Sequence, residues 1–400
     1  MASSSPHDRD PGDQVAHHET GGFAEPGYGA VADAFRENFD RGDVGAACAL
    51  YVDGELVVDL WGGVADPRTN RPWERDTVAI VFSVTKGVAS IAAQMLVERG
   101  ELELDVPVTT YWPQYGAAGK EQTTVRDVLS HRTGLPAVDG RPVTIDDVED
   151  PQLMAARLAA QTPLFEPGTA HAYQAFTFSW TFGEIFRRVV GESIGTFVAR
   201  EIAAPLGLDL WIGLPEQVES RVAPILPPDV PAELVELVMP EGSLPWRSMT
   251  LNGLRPTLIA GDDVGINDPR IHRIELTAAN GITNARSLAK LYAATIGTVD
   301  GIRLIQPQSI AAASVVRSEG LSWGELVEGP RWGTGFLRPF PRQPMLEGAS
   351  FGHDGAGGSI AFAEPDLGVA FGHVINQMVV TDQQDVRTMA LLDAVRSSIA

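Results

Sequence analysis

Lysine is nearly absent from this chain of 400 residues: of thirty Lys and Arg, only Lys86, Lys120 and Lys290 are lysines. Arginine carries the rest of the positive charge, and a guanidinium does not release its proton in a protein, whereas a buried amine can. A lysine kept inside the apolar run "AIVFSVTKGVASIAAQML" (79–96) therefore points to a need for a deprotonable amine. Cysteine is scarcer still. Cys48 stands alone, which excludes an internal disulfide and any paired-cysteine zinc or redox site, and it reads as a small buried apolar side chain. No stretch reaches the ~18 uncharged apolar residues of a membrane span. The first residues, "MASSSPHDRDPGDQVAHHETGG", also lack the apolar core of a signal peptide. The expectation is a cytoplasmic protein with no membrane partner and a disordered tail over 1–22. The net charge of −22 repels phosphate backbones, so no nucleic-acid partner is expected either.

With 44% hydrophobic residues the chain has ample material for a globular core. After the tail, "GYGAVADAFRENFDRG" spaces Val31, Ala34, Phe35 and Phe39 for one amphipathic helix. "GAACALYVDGELVVDLWGGVAD" follows as two strand-like runs joined by Asp53-Gly54, a hairpin signal. The Lys86 stretch opens a further helix that stops near Gly100. Helices and Pro/Gly loops come next: "TTVRDVLSHRTGLP" offers Thr124 and Asp127 as a capping pair, helical periodicity recurs through "FTFSWTFGEIFRRVVGESIGTFVAREIAAPLGL", and 223–270 looks irregular. "GTGFLR", "SIAFAEP" and "GVAFGHVIN" return to strand character before a closing helix, "VRTMALLDAVRSSIA". Strands at both ends with helices between predict an α/β fold of the α+β type. In it an antiparallel sheet domain, 23–104 and 285–400, is flanked by helices and carries an inserted, mainly helical domain, 105–284.

Ser83 lies three residues before Lys86, a spacing that puts hydroxyl and amine on one helix face. An amine of pKa ~10.4 must fall about three units, roughly 4 kcal/mol, to act as a base at neutral pH, and apolar surroundings and the positive helix end both push it down. Spacing does not single out this pair, because "SLAK" repeats it at Ser287 and Lys290. Ser83 sits at a strand-to-helix junction, where backbone N–H groups are free, and Ser287 in an ordinary amphipathic pattern. Ser350 in "GASFG" matches a nucleophile elbow, but the glycine-rich "GHDGAGGSIAF" after it cannot start the helix an elbow requires, which makes it a decoy. His17 and His18 fall in the tail and the eight histidines show no paired ligand spacing, so neither a metal site nor another cofactor is expected.

The ordered set "FSVTKG", "LSHRTGLP", "FEPGTAHAYQ", "IAAPLGL", "GITNARSLAKLYAA", "RWGTGF" and "FGHDGAGGS" resembles the β-lactamase and penicillin-binding-protein superfamily. Within it the chain is most similar to the class C-like serine hydrolases that include the family VIII carboxylesterases, from about residue 25 to the C-terminus. The resemblance implies a β-lactamase-like fold with the site between its two domains. It further implies that Ser83 is acylated, that Lys86 takes its proton, and that Tyr173, its phenol lowered in pKa by Lys86, relays that proton to the leaving group. The Ser83 and Ala356 amides would form the oxyanion hole, and His353 and Gly355 would line the substrate site. Two departures bear on substrate: Ala175 stands where such lactamases have Asn, and His353 where they have Lys, which removes an amide and a fixed cation that meet a carboxylated lactam. The expected substrates are therefore small neutral esters with short acyl chains, with weak β-lactam opening as a side activity. Alternatives implied by the same residues are a β-lactamase, an amidase or peptidase, and an acyltransferase. A non-enzymatic sensor of acyl ligands is disfavoured by the intact Ser83, Lys86 and Tyr173.

Overall fold

The computed structural model describes residues 19–228, 230, 236, 237, 239–254, 265–324, 328–346, 348–381 and 383–399. Strands β2 (Gly45–Val52) and β3 (Glu55–Asp66) form the hairpin, and Asp53 and Gly54 take φ of 50° and 85°, the left-handed pair that matches strand twist. To this hairpin are added β1 (Thr20–Ala24) at one edge and, on the β2 side, strands from the far end of the chain. Two-residue strands along the way are β4 (Arg71–Pro72), which pairs with β3, β5 (Ala79–Ile80), β6 (Leu210–Trp211) and β7 (Ile282–Thr283). The later strands are β8 (Arg331–Trp332), β9 (Leu337–Arg338), β10 (Phe351–Asp354), β11 (Ile360–Glu364) and β12 (Val369–Ile375). The main antiparallel sheet runs β1-β3-β2-β12-β11-β10-β9-β8, so the two ends of the chain meet where Cys48 pairs with His373.

Both faces of this sheet are covered, which is why seven of the eight residues of β2 are buried. Ala47, Ala49 and Tyr51 pack into the same core as helix α2 (Val84–Glu98) and the helix Ala285–Ile296. Ala46, Cys48 and Leu50, on the opposite face, pack with helix α1 (Gly29–Glu37) and the C-terminal helix Val386–Ile399. Helix α2 is buried from Val84 to Leu96, as expected of a helix apolar on every side. Burial pushes the Cys48 thiol well above its ordinary value, so it stays protonated and unreactive.

The helices between include α3 (Val125–Leu129), α4 (Ile145–Glu149), α5 (Pro151–Ala160) and α6 (Phe178–Val190). Thr124 and Asp127 close a reciprocal capping box at the start of α3, as the sequence predicts. A second sheet, β5-β7-β6, ties the segment before α2 to residues 282–283, and Val81 N–H donates to Gly281 O at 2.9 Å. Two expectations need correction. Thr20 to Gly22, placed in the tail, pair with Gly62, Trp61 and Leu60 of β3, while the tail up to residue 18 lies outside the described residues. The region 223–270, read as irregular, contains a helix at Leu244–Met249 capped by Ser243, although 229, 231–235, 238 and 255–264 lie outside the described residues. Among the described residues no helix is long and apolar enough to cross a membrane.

Candidate active site

The strand β5 runs into α2 through a tight turn at Val81–Phe82. Phe82 takes φ 47°, a left-handed conformation unfavourable for a bulky side chain and held by its neighbours. Val84 N–H returns to Val81 O at 3.2 Å and Thr85 N–H to Phe82 O at 3.0 Å. Ser83 caps α2 without bonding its own helix through its side chain, which leaves the hydroxyl available.

Lys86 lies one turn along. Its Nζ is 3.2 Å from Ser83 Oγ and donates to two backbone carbonyls, Ala175 O and Ala278 O, each at 2.9 Å. Tyr173 completes the group from the 171–175 segment, its hydroxyl donating to Ser83 Oγ at 2.7 Å. The phenol ring stacks on Trp332 at 5.2 Å with 4° between planes, meets the edge of His131 at 5.0 Å, and lies 4.7 Å from Lys86 Nζ.

Burial drives the Lys86 amine well below its ordinary value, and the Asp354 charge opposes this only in part. A neutral amine has two N–H groups and one lone pair. Here two carbonyls take the N–H groups, so the lone pair faces the Ser83 hydroxyl, an arrangement that can accept its proton. Tyr173 differs from the expectation. Burial pushes its phenol up, the hydrogen bond to Ser83 opposes that, and its hydroxyl is held protonated. It can therefore pass a proton on but does not serve as a standing phenolate.

Strand β10 brings the remaining expected residues alongside. Gly355 lies so close to Val81 O that any Cβ would collide with it, which puts the end of β10 against the turn carrying Ser83. Among the described residues neither the Ser83 nor the Ala356 backbone N–H donates to a protein carbonyl. His353 is buried, 5.2 Å from the Trp332 ring. Its Nδ1 donates to Asp354 O at 2.6 Å, which leaves Nε2 as an unpaired acceptor, and burial followed by the Lys86 charge brings its pKa down to about 3. At neutral pH this position offers no positive charge.

The two rival serines are engaged elsewhere. Ser287 Oγ accepts from Asp209 N–H at 2.9 Å, and Lys290 bonds Leu206 O and pairs with Asp300. Ser350 donates to Glu364 at 2.7 Å and leads into β10, not a helix. Among the described residues no group of His, Cys, Asp and Glu side chains could hold a metal ion. Sequence reasoning gave no role to Trp332 and His131, although both lie inside the motifs "RWGTGF" and "LSHRTGLP". The carbonyls of Ala175 and Ala278 have no side-chain signature that could have disclosed them.

The beta-lactamase family model matches residues 31–396. The esterase/beta-lactamase LipL of Mycobacterium tuberculosis is 34% identical over 373 residues, covering 90% of this chain and 83% of that protein. Among solved structures, a penicillin-binding protein homologue from Caulobacter crescentus superposes with a TM-score of 0.83 at 36% identity, over 95% of this chain and all of the other. A family VIII carboxylesterase does so at 0.82 and 35%, with the same coverage.

Proposed function

Since the chain belongs to the beta-lactamase family, we propose that it is a serine carboxylesterase acting on small, neutral, short-acyl esters. The observation that carries this reading is Ser83 Oγ held between Lys86 Nζ at 3.2 Å and the Tyr173 hydroxyl at 2.7 Å. Ser83 Oγ attacks the ester carbonyl carbon while its proton passes to Lys86 Nζ. The Ser83 and Ala356 N–H groups receive the oxyanion. As the tetrahedral intermediate collapses, the C–O bond to the alcohol breaks. Tyr173 protonates the departing oxygen and is reprotonated by Lys86. Water then follows the same route in reverse to release the acid and free Ser83.

The preference for neutral esters rests on the electrostatics of the pocket. A neutral His353 and an alanine at 175 put neither a fixed cation nor an amide at the two positions that would meet a substrate carboxylate. LipL carries both activities in its name, which favours β-lactam opening as a slower second reaction of the same serine. Initial rates on p-nitrophenyl acetate, p-nitrophenyl butyrate and nitrocefin, measured for the wild type and Ser83→Ala, test both readings. Fast ester cleavage, slow nitrocefin turnover and an inactive variant are expected. Nitrocefin as the better substrate would overturn the ester assignment, and an active variant would overturn Ser83.

A further inference from the structure

We infer that Ser179 is a positioning residue for the Lys86 amine, acting through the backbone of residue 278. Ser179 lies in the first turn of α6, 4% exposed, and its Oγ accepts the Ala278 N–H at 3.0 Å. The carbonyl of that same Ala278 takes a hydrogen bond from Lys86 Nζ at 2.9 Å. A second bond, Thr277 Oγ1 to Ser179 O at 3.2 Å, pins the preceding residue to the same turn of α6. This two-bond clamp holds the peptide on the N-terminal side of the Ala278 Cα, while Ala279 N–H, in the same peptide plane as the Ala278 carbonyl, donates to Leu276 O at 2.8 Å. Ser179 thus anchors one of the two peptides that together aim this acceptor of the amine. The other acceptor, Ala175 O, comes from a different segment, in which Gln174 N–H donates to His131 Nδ1 at 3.3 Å. Ser179 touches neither Ser83 nor Lys86 in the described contacts, so its effect on chemistry passes through the Ala278 backbone, from its N–H across the Cα to its carbonyl.

The consequence is specific to the base. A carbonyl stabilises an ammonium more than an amine, because charge–dipole attraction adds to the hydrogen bond. Loosening the anchor on one side of Ala278 lets its carbonyl turn from the amine, which lowers the Lys86 pKa further and loosens its aim at once. The other groups around the amine are His131, Tyr173 and Phe178 from the segments beside it, and His353 and Asp354 from β10, none of which the clamp holds. Ser179 and Thr277 also line a cavity of about 350 Å³.

This inference rests on Lys86 as the base, and the experiment separates the two. The pH profiles of kcat and kcat/KM on p-nitrophenyl butyrate are measured for wild type, Ser179→Ala, Ser179→Thr and Lys86→Ala, with thermal midpoints alongside. For Ser179→Ala the expected result is a kcat at least tenfold lower, KM within about twofold, and an acid limb moved to lower pH by about half a unit or more. Ser179→Thr, which keeps the acceptor oxygen, restores both. An unmoved acid limb in Ser179→Ala, with or without lost kcat, overturns the clamp while an inactive Lys86→Ala keeps the base. An active Lys86→Ala overturns the base itself.

Discussion

A primary amine has three N–H donors when charged and two donors with a lone pair when neutral, and the site around Lys86 fits the second count. Two carbonyls and one hydroxyl surround Nζ, and burial removes the solvent that would favour the ion. An arginine in its place would fill similar space but keep its proton at any pH of interest. Lys86→Arg is therefore expected to lower kcat on p-nitrophenyl butyrate by ~10³-fold or more, in the range of a lost general base. Tyr173→Phe, which keeps the Trp332 stack and removes only the proton relay, is expected to cost ~10²-fold or more. Steady-state kinetics on both variants check this, and a Tyr173→Phe enzyme within threefold of wild type would remove the phenol from the proposed mechanism.

At the scale of elements, the decisive contact is between the end of β10 and the turn before α2. Only glycine fits at 355, because a Cβ there would strike Val81 O, a backbone atom that cannot swing aside. Gly355→Ala should part the strand from the turn and spread the two N–H groups assigned to the oxyanion, lowering kcat by ~10²-fold with little change in KM. Kinetics on a folded Gly355→Ala, checked by circular dichroism, decide this; unchanged kcat would mean that the contact does not set the oxyanion geometry. Other elements were plain in the sequence. The Asp53-Gly54 hairpin and the Thr124–Asp127 capping box formed where local chemistry called for them, since each depends on four or fewer neighbouring residues. The helix Leu244–Met249 was hidden because six residues are too few to display a period, although Ser243 before Pro245 is a start signal.

Over the whole molecule, buried histidines contribute to the behaviour in acid, against buried Asp43, whose carboxyl is pushed up to about 7 by burial. His353 and His373 are held neutral, each with its pKa brought down to about 3 by burial, and His131 is lowered for the same reason. Their unfolded value is 6.5, so between there and about 3 the unfolded chain binds protons that the folded one does not. The stability that these histidines contribute is therefore full above pH 6.5 and is lost as pH falls through this window, each group adding a slope of up to about 1.4 kcal/mol per pH unit. Urea unfolding between pH 7.5 and 4.5 should show this decline, and His373→Gln should make it shallower. Equal slopes for the two proteins would rule out His373 as a contributor.

The order of motifs, the hairpin, the capping box and the pairing of Ser83 with the Lys86 amine were written in the sequence, because each depends on residues close together in the chain. Even so, Ser83–Lys86 and Ser287–Lys290 share one spacing, sequence context separates them only in part, and packing completes the distinction: the first pair is buried against two carbonyls and Tyr173, and the second is tied to Asp209 and Leu206. The protonation of Tyr173 was likewise beyond the sequence, since it depends on burial and not on the neighbour that the motif supplies. Trp332, the Ala278 carbonyl and the Ser179 clamp come from segments far apart along the chain, and backbone carbonyls carry no residue-type signature. Local chemistry thus fixed which groups could react. Tertiary structure decided which of them meet, in what protonation state, and in how dry a place, because desolvation and long-range contact are properties of the packed chain.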